Sequence, residues 1–295
     1  MEFVIITDTC SDLDKGIRVK YDIDYVPMSY TCDEKTYLGD LDWNELSAHD
    51  FYELMRNGKR IFTSQVSVTH TKEKFEKYLN EGKDILYLSC SSELSKSYDV
   101  VRNVVSEFSP NYPNSKIIVI DTLRACMALG LLCITASELR NQGKSIDEVA
   151  SWIKENMATC HMEATVENLK YLKQAGRVSA ASAFFGGLLN IKPILIEDAQ
   201  GRNFAVEKVK GRITSLERLV ERTVEQFKDV PHQKVFISHA DCLEDALKLK
   251  DMLINALGNI EIELSYIGPI VGASVGPNTM GVFFYGTEVT VNKED

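Results

Sequence analysis

The stretch Ile85-Leu86-Tyr87-Leu88-Ser89-Cys90-Ser91-Ser92-Glu93-Leu94-Ser95-Lys96-Ser97-Tyr98 decides the fold. Its first four residues are apolar without alternation, the pattern of a parallel strand covered by helices on both faces. The hydroxyl-rich run that follows leaves this strand and opens a helix. Phe3–Ile6 and Ile117–Ile120 have the same strand character, and each also ends in polar residues, Thr7-Asp8-Thr9-Cys10-Ser11-Asp12 and Asp121-Thr122. Ligands bind beyond the carboxyl ends of open parallel sheets. The three polar loops are therefore expected along one edge.

A second hydroxyl cluster, Thr63-Ser64-Gln65-Val66-Ser67, precedes the serine run. Hydroxyl donors gathered with the orphan amides of a helix start suit an anionic oxygen ligand. Any one of these residues alone is more simply a helix cap. Two clusters on one sheet edge favour a site.

Working outward, Trp43–Asn57 and Thr71–Asn80 read as amphipathic helices and Leu123–Asn141 as a long, largely apolar one. Ser145-Ile146-Asp147-Glu148 is a capping box that starts another helix. A boundary near Met157–Met162 divides the chain into domains 1–158 and 159–287. Beyond it, Val166–Gln174 reads as a helix ending at Ala175-Gly176, with Gly176 in the left-handed cap conformation. Ile191–Glu197, Phe204–Lys210, Lys234–His239, Ile260–Tyr266 and Val282–Tyr285 read as strands. A box at Thr214-Ser215-Leu216-Glu217 opens a helix to Lys228, and Leu243–Leu257 is a further helix. The expected fold class is α/β: an N-terminal parallel-sheet domain and a smaller C-terminal mixed α/β domain.

The 295 residues are 44% apolar and 26% charged, ordinary for a globular protein. A formal charge of −10 opposes nucleic acid as the main partner. The seven cysteines include no C-x-x-C pair and read as free thiols of a reducing compartment, with neither disulfide nor metal expected. The five histidines lack metal-ligand spacing, and His239 reads as a capped loop residue rather than a cleft residue. No basic leader segment and no membrane-length apolar run are evident, so a cytoplasmic protein without a membrane span is expected. The tail Gly268–Gly281 carries glycines every four or five residues. It fits a pocket wall or a domain seam and matches no nucleotide-binding loop. Arg177 suits either its helix dipole or an anion or partner contact. No G-x-S-x-G elbow is present.

Taken in order, these motifs resemble the DegV family of bacterial fatty-acid-binding proteins. Thr63-Ser64-Gln65-Val66-Ser67 is similar to its T-S-Q-P-S signature, and Ser91 through Tyr98 to its S-S-x-L-S-G-T-Y motif. Thr7 through Leu13, Asp121-Thr122, Leu169–Arg177, Leu189–Leu195 and the glycine-rich tail also match. The resemblance implies a two-domain fold holding one long-chain fatty acid, with its tail in the second domain and its carboxylate at the domain interface. It further implies presentation of the acid to a separate fatty acid kinase for acyl phosphate formation and phospholipid synthesis, with no cofactor. By motif position Thr63 and Ser95 contact the carboxylate. Ser274 joins them in the place of the family's histidine. Ser64, Ser92, Arg177, Phe184 and Phe185 are candidate pocket or partner contacts, the last two in the apolar run Ala183–Leu189. The chain departs from the family at Ser274, Asn278, Val66, Lys96-Ser97 and Ala175.

A carrier without catalytic residues is thus expected. Its rivals are a stand-alone acyl- or phosphoryl-transfer enzyme with a Ser or Thr nucleophile, which would need an adjacent base, and a binder of a different amphiphile.

Overall fold

Residues 2–167, 169–178, 190–258 and 260–292 are described by the structure, a computed structural model. The chain begins with β1 (Phe3–Asp8), α1 (Lys15–Tyr21), β2 (Ile23–Val26), β3 (Ser29–Cys32), β4 (Lys35–Leu38), α2 (Ala48–Arg56), β5 (Phe62–Ser64) and α3 (Val68–Asn80). Next come β6 (Asp84–Ser89), α4 (Ser97–Phe108), β7 (Ile117–Asp121), α5 (Cys126–Asn141) and α6 (Ile146–Asn156). Strands β2, β1, β6 and β7 lie in that order in a parallel sheet. β1 and β6 are buried at every position, as the apolar runs Phe3–Ile6 and Ile85–Leu88 within them require. β4, β3 and β5 form a small antiparallel sheet.

The second half contains β8 (Cys160–Thr165), α7 (Lys170–Ala175), β9 (Ile191–Glu197), β10 (Asn203–Lys210) and α8 (Arg212–Gln226). It ends with β11 (Val235–His239), α9 (Leu243–Leu257), β12 (Ile262–Tyr266), α10 (Pro269–Val275) and β13 (Met280–Tyr285). Its six strands run β10-β9-β8-β13-β11-β12, parallel between β11 and β12 and antiparallel elsewhere. One apolar cluster packs α8 and α9 against this sheet. A larger one runs from the parallel sheet through α5 to the other face of the mixed sheet. α5 touches β1 and β6 on one side and β8 and β13 on the other, and every residue from Cys126 through Ser137 is buried. A helix enclosed in this way must be apolar all round. No helix among the described residues is long and apolar enough to cross a membrane.

Several boundaries differ from those read in the sequence. α2 begins behind a Ser47 cap rather than at Trp43, which has φ +55°. α5 begins at Cys126 because Leu123 and Cys126 take left-handed φ and Ala125 is extended. The expected capping box at Thr214 is absent. α8 starts three residues earlier, behind Gly211 at φ +96°, and the Ser215 hydroxyl donates to the Arg212 carbonyl at 2.6 Å. The box at Ser145 and the left-handed cap at Gly176 are both present.

The glycine-rich tail contains a helix, α10, with a loop and β13 after it. Its glycines stand four apart along one helix face, where a Cβ on Gly272 would meet the Tyr52 hydroxyl and one on Gly276 the Tyr171 ring. At the edge of the parallel sheet, the buried Asp8 accepts the Cys10 amide through Oδ1 and the Cys90 amide through Oδ2, each at 2.9 Å. Burial raises the Asp8 carboxyl to about 6. It raises Asp12, which accepts the Cys126 thiol at 2.8 Å, to about 8, with the nearby Asp8 acting in the same direction.

Two tests follow from this packing. Gly276 has φ +83° and ψ 170°, a conformation essentially confined to glycine. Gly276→Ala is expected to cost roughly 2–6 kcal/mol in urea denaturation, combining backbone strain with overpacking against Tyr171. Gly143→Ala, also at positive φ but with open space around it, is expected to cost only the strain. The second test concerns pH. From Asp12's ordinary 3.8 up to about 8 the native state keeps a proton that the unfolded chain has released. Stability therefore falls as pH rises through that window. Asp12→Asn, which tolerates the left-handed φ of +54°, is expected to flatten the decline; an unchanged slope between pH 5 and 8 would refute it.

Candidate functional site

The carboxyl ends of β1, β6 and β7 are tied together by their own polar side chains. The Thr7 hydroxyl donates to the Leu88 carbonyl and the Thr122 hydroxyl to the Ser89 carbonyl, both at 2.8 Å. The Ser91 amide donates to the Arg124 carbonyl at 3.0 Å, and the Ser91 hydroxyl donates to the Gly201 carbonyl at 2.7 Å. This last bond joins the serine loop to the turn between β9 and β10. The three polar loops thus do share an edge, and the mixed sheet faces it.

Between them lies a cavity of about 140 Å³ that opens to solvent. Its floor is buried and mostly apolar, with Met162 and Ala164 of β8, Leu195 of β9, Phe283 of β13 and Ile267 among the residues that face it. Cys10, Cys90 and Cys126 add thiols whose ionisation burial opposes. The rim is hydroxylated and more open: Thr63, Ser95 and Ser274 are half-buried and Ser64 is exposed.

Local structure sets each rim residue. Thr63 pairs with Tyr30, and Ser64 with Ser29, on the edge strand β5. The Val66 amide donates to Ser97 Oγ at 3.2 Å, Ser97 Oγ lies 2.9 Å from Ser95 Oγ, and the Ser97 amide donates to Ser95 Oγ at 3.2 Å. Each serine oxygen accepts one amide, so whichever hydroxyl donates across the pair, the other keeps a proton to give elsewhere. Ser274 rides on α10. Arg177 also lines the cavity, its guanidinium donating to the Leu94 carbonyl at 2.8 Å. A second cleft shares Thr63, Arg177 and Ser274 with the cavity and adds Lys59, Arg60 and Lys170.

Five residues singled out from the sequence, Thr63, Ser64, Ser95, Arg177 and Ser274, therefore line one cavity. Ser92 does not; its amide donates to Asp121 Oδ1 at 3.1 Å in the loop's own turn. Phe184 and Phe185, with the run Ala183–Leu189, lie outside the described residues. His239, expected as a capped loop residue, is instead the last residue of β11; it is buried, accepts the Cys242 amide, packs on Tyr266 and does not line the cavity.

Sequence reading missed Glu197, which is 2% exposed and lines the floor. Burial raises its carboxyl to about 8 despite the nearby Arg124. The available signal was an acid directly after Ile194-Leu195-Ile196 in a strand too apolar to have a solvent face. Asp8, Cys10 and Cys90 offer ligand atoms within 4.8 Å of one another. Both Asp8 oxygens already accept amides, however, and burial disfavours either thiolate, so the set is poorly disposed to hold a cation.

The arrangement can take an elongated apolar body on the buried floor and an oxygen-bearing head at the hydroxylated rim. A family model described as "Uncharacterised protein, DegV family" matches residues 2–287. A DegV domain-containing protein of Clostridium perfringens is 38% identical over 97% of this chain and 98% of its own. Among solved structures, a DegV lipid binding protein of Thermotoga maritima superposes with a TM-score of 0.84 at 29% identity, covering 98% of this chain and 100% of the other. A second Thermotoga maritima protein, described as revealing a fatty acid binding function, gives 0.84 at 27% identity over 97% and 100%. With the family model matching nearly its whole length, the chain belongs to the DegV family.

Proposed function

We propose that this chain binds one long-chain fatty acid, with the hydrocarbon tail on the cavity floor and the carboxylate on Thr63, Ser95 and Ser274, and presents it to a separate fatty acid kinase. The observation that carries the reading is the polarity gradient of the cavity, from half-buried hydroxyls at its rim to buried aliphatic and aromatic side chains at its floor. The fatty acid binding described for the Thermotoga maritima relative supports it.

The energetics are favourable. Each buried methylene contributes about 0.8 kcal/mol, so a chain of roughly fifteen contributes on the order of 12 kcal/mol before association costs. Hydrogen bonds to the charged head, about 1.5–3 kcal/mol each, largely offset its desolvation. The tail supplies affinity, and the hydroxyls fix orientation. On this reading residues 1–158 bring Thr63 and Ser95 to the head group, and residues 159–287 bring Ser274 to it and Met162, Ala164, Leu195 and Phe283 to the tail.

A carrier role rather than catalysis is supported by the surroundings of the rim. Ser95 Oγ contacts another serine and an amide, not a base, and no histidine lines the cavity among the described residues. Neutral hydroxyl donors leave the carboxylate free to attack a phosphoryl group brought by a partner. The cationic cleft that meets the cavity at Thr63 and Ser274 supports an approach by a phosphate-bearing partner on that side.

Native mass spectrometry of the purified protein, followed by solvent extraction, is expected to find one fatty acid per chain. A chain that arrives empty and takes up no added acid would sink the reading. Ser95→Ala is expected to weaken binding about 10- to 100-fold, the loss of one hydrogen bond to a charged group. A turnover by the isolated chain that Ser95→Ala abolishes would instead establish an enzyme. Lys59→Glu with Arg60→Glu is expected to leave fatty acid affinity roughly unchanged and lower acyl phosphate formation by the kinase; an undiminished yield would separate the cleft from the partner.

A further inference from the structure

Glu197 is the one carboxyl group on the cavity floor among the described lining residues. Side chains alternate along a strand, so Glu197 and Leu195 of β9 point the same way. Leu195 pairs with Ala164 and Phe283 with Met162 on the adjoining strands, and all four line the cavity. Glu197 Oε1 accepts the Ala125 amide at 2.8 Å, which holds the entrance to α5. Glu197 Oε2 is buried and has no hydrogen-bond partner among the described residues. The nearby Arg124 turns its guanidinium elsewhere, donating to the carbonyls of Cys160 and Leu123 at 2.7 Å each.

Holding the Ala125 amide needs one acceptor. The second oxygen has no such duty, and an unpaired polar atom in an apolar floor is costly to keep. Because burial raises the carboxyl to about 8, it is largely protonated at neutral pH. With Oε1 accepting from Ala125, the proton belongs on Oε2. Glu197, a lining residue of the floor, thus carries one unpaired hydrogen-bond donor, closed off from solvent among aliphatic and aromatic side chains.

We infer that the preferred ligand is a hydroxylated long-chain fatty acid, whose chain hydroxyl accepts a hydrogen bond from Glu197 Oε2. This rests on the fatty acid reading above and deepens it. A site built to hydrogen-bond a ligand hydroxyl discriminates against the analogue that lacks it, because its own polar atom is then left unpaired. Glu197 is accordingly a specificity-determining residue, distinct from the hydroxyls that hold the carboxylate.

The test is calorimetric titration of the delipidated protein with stearic acid and with a series of hydroxystearic acids differing in hydroxyl position. At least one hydroxystearate is expected to bind the wild type about tenfold or more tightly than stearate. Glu197→Gln, whose amide also donates, is expected to keep that preference. Glu197→Met, similar in length and apolar, is expected to reverse it. A purely structural Glu197 would make the methionine variant lose both ligands alike, which would overturn the proposal. So would equal binding of every acid by the wild type, a comparison that requires no variant to fold. Binding of stearate without a hydroxyl preference removes this inference alone, whereas binding of none of the acids removes it together with the fatty acid reading.

Discussion

A parallel sheet buried on both faces must end its strands where water cannot satisfy the backbone, and the rest of this molecule depends on how that constraint is met. Asp8 takes the amides of Cys10 and Cys90 on its two oxygens, so the loops after β1 and β6 are fixed to each other at their first residues. Thr7 and Thr122 do the same for the carbonyls of Leu88 and Ser89. Unpaired buried backbone groups are costly, so these side chains leave the edge little freedom. The serine loop inherits its position from that edge. Ser97 then accepts the Val66 amide and Ser95 is set beside it, so the hydroxyls at the rim are placed by the same constraint that terminates the strands.

Much of this was legible in the sequence because it is local. Unbroken apolar runs marked the central strands, the Ser145 box a helix start, and Gly176 a helix end. What escaped was set by neighbours distant in sequence. Glycine disfavours helix, yet α10 is helical because its glycines let α2 and α7 approach. β8 was not read as a strand, and it buries two polar residues, His161 and Glu163. Both are satisfied from afar, His161 beside the Thr287 carbonyl and Glu163 by the Arg222 guanidinium. The Thr214 box was a correct local pattern overridden by the turn at Gly211.

The site divides along the same line. Thr63, Ser64, Ser95, Arg177 and Ser274 belong to motifs that a sequence can display, and they line the cavity. Ser92 shares the motif but turns its amide to Asp121, because a loop of consecutive serines can direct only some of them outward. Glu197 belongs to no motif. Its position on the floor follows from strand alternation combined with the order of the mixed sheet, which brings β9 beside β8 and β13.

Glu197 also reports on the cavity as an environment. Its carboxyl is neutral near pH 7 even though an arginine lies close by, so desolvation on the floor outweighs a nearby positive charge. A second carboxyl group brought there would meet the same environment and would likewise resist ionisation. At the rim, half-exposed hydroxyls and the adjoining cations favour the charged form instead. On the proposed fatty acid reading, the dielectric character of the cavity would by itself favour a charged carboxylate at the rim and a neutral chain on the floor, before any particular hydrogen bond is counted.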